Sequence, residues 1–124
     1  MKKYCYLFLP KNLIPEQVAI QAAHVSMVMG FVLQEQVHHF GADYDPEEIT
    51  FVMTPAYASF EDIQDDLDRL GFAIEVFEDY TYTFDESGAL IESEEKEVKA
   101  MMTHPIDEDK RGILRGLPLY RIKK

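Results

Sequence analysis

Residues 15–30 read P-E-Q-V-A-I-Q-A-A-H-V-S-M-V-M-G, and this stretch predicts the helix around which the fold is built. Its opening proline suits the first position of a helix, where the missing N–H would bond to nothing. Apolar residues lie on most sides, as expected of a helix that packs against a sheet or a second subunit. Gln17, Gln21 and His24 follow at intervals of four and three residues, so they form a polar stripe along one edge. The stripe is either part of a functional site or hydrogen-bonded polarity at the rim of a core.

Predicted strands flank this helix. Residues 4–9, Y-C-Y-L-F-L, are a short aromatic-rich run that Pro10 ends, and residues 49–54, I-T-F-V-M-T, are a second run. The helix between them is predicted to extend to about His38. Two strands joined by a helical crossover are expected to lie parallel in one sheet.

The rest of the chain alternates one more helix with several strands. Ser59 is the expected N-cap of that helix, Asp62 its capping acid and Gly71 its C-terminal stop. Further strands are predicted over residues 72–77, 80–84 and 98–104, whereas the acidic residues 92–97 are predicted to be an exposed connection. The order of elements predicts an α/β fold, in which a mixed sheet with a parallel β-α-β core is flanked by helices in a single domain over residues 1–124.

Charge is distributed unevenly along the chain. Residues 1–15 and 110–124 contain nine lysines and arginines and no acid, whereas residues 16–109 hold all 23 acids and three cations. An acidic body repels long RNA or DNA, whose binding depends on clustered Lys and Arg. A small anionic ligand at a local basic site remains possible, and a solvated C-terminal tail explains the basic end equally well.

Several kinds of site have no sequence support. The chain lacks a phosphate-binding loop, a dinucleotide fingerprint, a C-x-x-C pair and an H-E-x-x-H motif, so no metal or cofactor is expected. The spacing of His38 and His39 from Asp43 and Asp45 matches no metal-binding motif. Cys5 has the apolar neighbours of a buried free thiol. With no apolar run near ~20 residues and no secretory signal pattern, the expected location is the cytoplasm.

Three stretches carry a family resemblance. Q21-A-A-H-V-S26, E78-D-Y-T-Y-T83 and V98-K-A-M-M-T-H-P-I-D107 resemble, in order and spacing, three segments of the archaeal and eukaryotic type of peptidyl-tRNA hydrolase. These segments are its A-A-Q-C-[AS]-H-A helix, its D-A-G-x-T segment and its closing strand. The resemblance implies a peptidyl-tRNA hydrolase II-like fold. If the chain is such a hydrolase, the resemblance also implies four catalytic side chains: Gln21, His24, Asp79 and Thr83.

Two positions depart from that family. Gln17 stands where the family has a lysine four residues before its glutamine, and Thr81 replaces the glycine between its Asp and Thr. A lysine there would orient phosphate or polarise the scissile ester, which an uncharged glutamine cannot do. With an acidic body that repels tRNA, these departures favour a binding protein over a hydrolase.

The C-terminal half carries a second resemblance. Phe84 and R111-G-I-L-R115 are similar, in position and residue type, to elements of small phage proteins that counter the Thoeris defence system. Those proteins sequester cyclic ADP-ribose-type signals at a subunit interface with an aromatic ring and arginines. Stacking of an aromatic face on adenine is worth ~1–3 kcal/mol per base, and guanidinium groups bind pyrophosphate in bidentate fashion.

This second resemblance implies a non-catalytic anti-defence protein of the host cytoplasm. It would bind and sequester a small cyclic nucleotide as a homo-oligomer, a dimer or larger, without a cofactor, a membrane or long nucleic acid as partner. The implied ligand-binding side chains are Phe84, Arg111, Arg115, His24 and Gln21. The alternatives are a peptidyl-tRNA hydrolase-like enzyme that cleaves the peptidyl-tRNA ester and a structural subunit of an acidic complex.

The same residues also have purely structural interpretations. His24 can be a hydrogen-bonded residue at the edge of a core, and Phe84 can be a core aromatic at a strand end. Arg111 and Arg115 can be a solvated pair, and Asp79 an ordinary ionised carboxylate.

Overall fold

The computed structural model describes residues 2–41 and 45–121, with every side chain in them except those of residues 81–83, 93 and 94. Two helices and five strands form the regular structure of this part of the chain. In order they are β1 (Lys3–Leu9), α1 (Pro15–Phe40), β2 (Ile49–Pro55), α2 (Phe60–Arg69), β3 (Ile74–Phe84), β4 (Leu90–Thr103) and β5 (Ile106–Asp107). Short 3₁₀ turns cover Pro46–Glu48, Glu108–Lys110 and Gly112–Gly116.

The strands form one mixed sheet in the order β2-β1-β4-β3, with β5 paired to β1. β1 and β2 are parallel from Lys3 opposite Ile49 to Leu9 opposite Pro55, and α1 connects them, so the predicted parallel β-α-β core is confirmed. β4 runs antiparallel to β1 on one side and to β3 on the other. The architecture is therefore α/β with a mixed sheet, as predicted.

β1 is buried on both faces, which explains its nearly continuous apolar sequence. Its side chains alternate between two cores. The core on the α1 side contains Cys5, Leu7, Leu9, Val18, Val25, Met29, Ala100 and Met102. The core on the α2 side contains Tyr6, Phe8, Ile63, Leu67, Met101, Ile106 and Leu114.

α1 is long for the surface that it buries. Of its 26 residues, three are fully buried, namely Val18, Val25 and Met29. It ends two residues beyond the predicted His38, where Gly41 takes the left-handed conformation (φ 66°) and donates its N–H to Gln36 O. By length and composition, α1 is the one helix in the described residues that could cross a membrane.

α2 begins and packs as the sequence predicts. The Ser59 hydroxyl accepts a 3.1 Å hydrogen bond from the Asp62 N–H, which confirms the N-cap. Ile63 and Leu67 are buried against the sheet, whereas Leu70 is 48% exposed instead of joining the core. Gly71 lies at φ 84° just after the helix and supplies the predicted stop.

The acidic residues 92–97 correct one prediction, because they are part of β4 and not a connection. β3 likewise continues without a break through the two stretches predicted as separate strands. Backbone pairing between β3 and β4 satisfies the main chain of this long hairpin, so its outer part needs no apolar face to be a strand. At its tip, the N–H groups of Ser87 and Ala89 donate to the Asp85 carboxylate, and Gly88 adopts φ 83°.

Tyr120 ties the C-terminal segment to the body of the fold. Its N–H donates to Met53 O at 2.8 Å, and its hydroxyl donates to Pro10 O at 2.7 Å. The Leu13 N–H donates to the same hydroxyl at 3.1 Å. As far as Arg121, the basic end is therefore a packed segment and not a solvated tail.

Candidate functional site

A cavity of about 530 Å³ lies where the polar stripe of α1 faces β3 and β4. Polar side chains from three elements line it. They are Gln17, Gln21 and His24 from α1, Asp79 and Tyr80 from β3, and Lys99 from β4.

Packing of α1 on the sheet sets the direction of the stripe. Val18 and Val25 are seven residues apart and both buried, so they fix the face of α1 that meets the core. Gln21 and His24 lie to one side of that face, where the edge of the helix overhangs β3. The stripe inferred from sequence is thus one wall of a cavity.

Two polar atoms in this wall have no protein partner. Gln21 Oε1 and His24 Nδ1 are buried and make no hydrogen bond within the described part of the chain. The His24 ring packs on Phe77 with ring centroids 4.4 Å apart, which holds the imidazole in place. A buried polar atom without a hydrogen bond lowers the free energy of unfolding by ~1–3 kcal/mol. A molecule that entered the cavity and hydrogen-bonded to these two atoms would remove that cost.

Asp79 reaches the same cavity from β3. Its Oδ1 accepts a 2.8 Å hydrogen bond from the Tyr80 N–H, so one carboxylate oxygen is already bonded. Thr83 pairs with Ile91 further along β3, but its side chain lies outside the described ones. Four strand residues span about 13 Å, so the two positions are well separated. The structure brings together Gln21, His24 and Asp79 of the four implied catalytic residues.

Lys99 was not singled out from the sequence. Phe77 pairs with Ala100 and Glu78 pairs with Val98, so Lys99 is an extra residue in β4 at a β-bulge. Its side chain is 23% exposed, lines the cavity and places Nζ 3.2 Å from Glu97 Oε2. Strict alternation along β4 would turn Lys99 away from Ala100 and the α1 side. Only the bulge, which no short motif signals, brings this cation to the site.

The residues of the second resemblance lie elsewhere. Phe84 is 74% exposed near the tip of the hairpin. Arg111 lies over the Tyr4 ring, with Cζ 3.7 Å from its centroid, and its Nη1 donates to the Tyr6 hydroxyl at 3.3 Å. Arg115 is exposed in a 3₁₀ turn that begins after Arg111.

Arg111 is also on the wrong face of the sheet to reach the cavity. Tyr6 belongs to the core on the α2 side, whereas His24 stands on the α1 side. Within one chain the structure therefore leaves Phe84, Arg111 and Arg115 outside the cavity that holds Gln21 and His24.

The structure also bears on the predictions for Cys5 and for a metal site. Burial raises the pKa of Cys5 to about 12, so this thiol stays protonated and unreactive at neutral pH, as predicted for a buried cysteine. His38 and His39 are exposed near the end of α1. Among the residues that the structure describes, no group of three His, Cys, Asp or Glu side chains can hold a metal ion. Asp43 lies outside those residues.

No protein-family model matches the chain, and no curated protein matches it. The resemblances to peptidyl-tRNA hydrolases and to Thoeris-countering proteins therefore stand on the residues quoted above and remain predictions.

Proposed function

We propose that the protein binds and sequesters a small anionic nucleotide, of the cyclic ADP-ribose type, in the cavity between α1, β3 and β4. The observation that carries the proposal is that Gln21 and His24, which line that cavity, each have a buried atom, Oε1 and Nδ1, that bonds to no described residue. This activity would make it an anti-defence protein of the kind that its sequence resembles.

The size and chemistry of the cavity support a nucleotide-like ligand. Small-molecule sites have volumes of roughly 300–1,000 Å³ with a few placed polar groups, and this one measures about 530 Å³. Lys99 supplies a cation for phosphate, and Tyr80 is the aromatic residue that lines the cavity. Gln17 and Gln21 add amide donors and acceptors that suit ribose hydroxyls.

Binding without turnover is supported by what surrounds His24. A histidine that activates a nucleophile is oriented by a third group, and Nδ1 of His24 has no partner in the described residues. Gln17 carries no charge with which to polarise an ester. Phe84 and Arg115 are exposed, so they would contribute only across an interface with a second copy.

Peptidyl-tRNA hydrolysis on a peptidyl-tRNA hydrolase II-like fold is the second candidate. One observation favours it, because Gln21, His24 and Asp79 meet in the same cavity, as the resemblance implies. The acidic body, which repels tRNA, weighs against it.

Titration calorimetry with cyclic ADP-ribose and its linkage isomers tests the proposal. We expect one isomer to bind and to be recovered unchanged, by mass, after the protein is heated. Lys99→Met should weaken binding by about 10- to 100-fold, since a charge-assisted hydrogen bond is worth ~1.5–3 kcal/mol.

His39→Ala, in an exposed histidine of the same helix, is the control and should bind as the wild type does. Absence of heat with every isomer would refute the nucleotide proposal. Release of tRNA from a blocked aminoacyl-tRNA, lost in Asp79→Ala, would establish the hydrolase instead.

A further inference from the structure

The two acid-free ends of the chain meet in the fold at another cavity, of about 400 Å³. It differs from the cavity between α1, β3 and β4, because no residue lines both. Its lining comes from Lys11 and Asn12 near the N-terminus, from Pro55 of β2, and from residues 118–121 of the C-terminal segment. Among these described residues there is no Asp or Glu.

Tyr120 holds the two basic segments together. Its hydroxyl donates to Pro10 O at 2.7 Å and accepts from the Leu13 N–H at 3.1 Å. Lys11 lies between these two residues in the chain, and Arg121 directly follows Tyr120. Both basic residues are therefore attached to backbone that the fold already fixes. A site whose backbone is fixed before a ligand arrives costs less to order on binding.

The two cations of this cavity differ from others in the protein. Lys3 and Arg69 have carboxylate oxygens at 2.6 Å and 2.9 Å. Lys11 and Arg121 form no ion pair with a described residue. Asn12 adds a side-chain amide, which can donate two hydrogen bonds. Two positive charges and an amide donor, with no acid in the same lining, attract an oxyanion of charge near −2.

We infer that this cavity binds the phosphate group of a small organic phosphate monoester. Such a group carries a charge of about −1.5 to −2 at pH 7, which matches two cations, whereas a carboxylate carries a single charge. Pro55, Pro118 and Leu119 supply an apolar part of the lining, which suits an organic body attached to the phosphate. The net charge of −11 disfavours a long polyanion at the same place.

This site does not rest on the proposed sequestration of a cyclic nucleotide. One loop borders both cavities, since Pro10 and Leu13 line the first while Lys11 and Asn12 line the second. The cations are separate, because Lys99 lines only the first. Binding at one cavity can thus be lost while binding at the other is kept.

NMR titration of the protein with phenyl phosphate tests the location of the site. We expect the backbone amide signals of Lys11, Asn12 and residues 119–121 to shift in a saturable way. The signals of His24 and Lys99, which line the other cavity, should stay in place. Absence of any shift, or shifts confined to His24 and Lys99, would overturn the inference.

Charge-removing variants test the two cations. Lys11→Met and Arg121→Met should each weaken phenyl phosphate binding by about five-fold, the size expected of one exposed charge pair. Both residues are exposed, so the substitutions should leave the circular dichroism spectrum unchanged. Lys2→Met is the matched control, because Lys2 is an exposed lysine of the same acid-free end that does not line the cavity. Equal affinities in Lys2→Met, Lys11→Met and Arg121→Met would overturn the inference.

Two further probes test the class of ligand. Benzoate has the same ring with a single negative charge, and inorganic phosphate has the same group without the ring. We expect both to bind more weakly than phenyl phosphate. Leu119→Ala should weaken binding of phenyl phosphate and leave that of inorganic phosphate unchanged. Benzoate or inorganic phosphate binding as tightly as phenyl phosphate would refute a site for an organic phosphate monoester.

Discussion

On the α2 side of the sheet, Arg111 and Thr103 bond to Tyr6, whereas on the α1 side Gln21 and His24 each have a buried atom that bonds to no described residue. Arg111 donates to the Tyr6 hydroxyl, and Thr103 Oγ1 accepts from the Tyr6 N–H at 2.9 Å. Gln21 Oε1 and His24 Nδ1 are buried but bond to no described residue. A charged residue therefore indicates a binding site only when its hydrogen-bond partners within the fold are known. Arg111 is used within the fold, whereas Gln21 and His24 line a cavity.

Thr54 shows that an unmet atom alone does not mark a site. Its Oγ1 is also buried and bonds to no described residue, yet Thr54 packs beside Phe8 in the core on the α2 side and does not line the cavity between α1, β3 and β4. A hydroxyl of this kind costs stability and offers a ligand nothing. The α1 pair differs because both residues line one cavity that Lys99 also lines.

The largest expected effect is the loss of stability when a buried side chain is truncated in the core on the α2 side. Leu67→Ala should lower the free energy of unfolding by ~2–5 kcal/mol, because Leu67 is 1% exposed and truncation leaves a void. Urea denaturation measures the change. Leu119→Ala, at a residue that is 68% exposed, should cost little. If Leu67→Ala also abolished ligand binding in the still-folded protein, the two sides would not be independent.

Exchanging histidine for phenylalanine compares His24, whose Nδ1 bonds to no described residue, with a histidine that has a partner. His24→Phe should raise the free energy of unfolding by ~1 kcal/mol, because it removes an unmet polar atom and keeps the ring on Phe77, and it should weaken ligand binding. His104→Phe should destabilise the protein, since His104 Nε2 lies 2.7 Å from Glu75 Oε2. Chemical denaturation and calorimetry measure the two effects.

Thr54→Val serves as a second control for that experiment. It should stabilise the protein by a similar amount, because it also removes an unmet buried atom, but it should leave ligand affinity unchanged. Equal loss of binding in Thr54→Val and His24→Phe would contradict a site on α1.

Arg111→Lys should lower Tm by a few degrees and leave ligand affinity unchanged. Lysine keeps the charge but cannot lie flat on Tyr4 while donating to the Tyr6 hydroxyl. Calorimetry with the nucleotide panel is the measurement. A large loss of affinity without a change in Tm would place Arg111 in the site after all.

The smallest effect concerns pH. Lys3 Nζ donates to Asp107 Oδ1 at 2.6 Å, and this hydrogen bond, with the charge of Lys3, lowers the pKa of Asp107. A carboxyl with a lowered pKa contributes stability that is full above its ordinary value of about 4 and is lost as the pH falls through the lowered value.

Lys3→Met should therefore reduce Tm at pH 7. It should leave Tm unchanged at a pH below the lowered pKa of Asp107, where this carboxyl is protonated. Thermal melts across pH measure it. Lys110→Met is the matched control, because Lys110 is 73% exposed and 3.9 Å from Asp107, and it should change the profile less. Parallel loss of Tm at every pH in Lys3→Met would mean that packing, not charge, is lost.

Local patterns predicted most of the elements, because each rests on residues near in sequence. The cap at Ser59, the helix stop at Gly71 and the parallel pairing of β1 with β2 follow from such patterns. Residues 92–97 were mistaken for a connection because strand pairing in an exposed hairpin needs no apolar alternation. In the site, the stripe of Gln21 and His24 was found from helical spacing, whereas Lys99 was missed.

By itself, the sequence determined an α/β fold with a parallel β-α-β core and a polar stripe on its long helix, because short-range periodicity encodes both. Tertiary structure alone decided which polar residues meet. A β-bulge places Lys99 at the cavity, and Arg111 stacks on Tyr4 on the opposite face of the sheet. Register and long-range packing depend on residues far apart in the chain, so no local pattern in P15–G30 could reveal what its stripe would face.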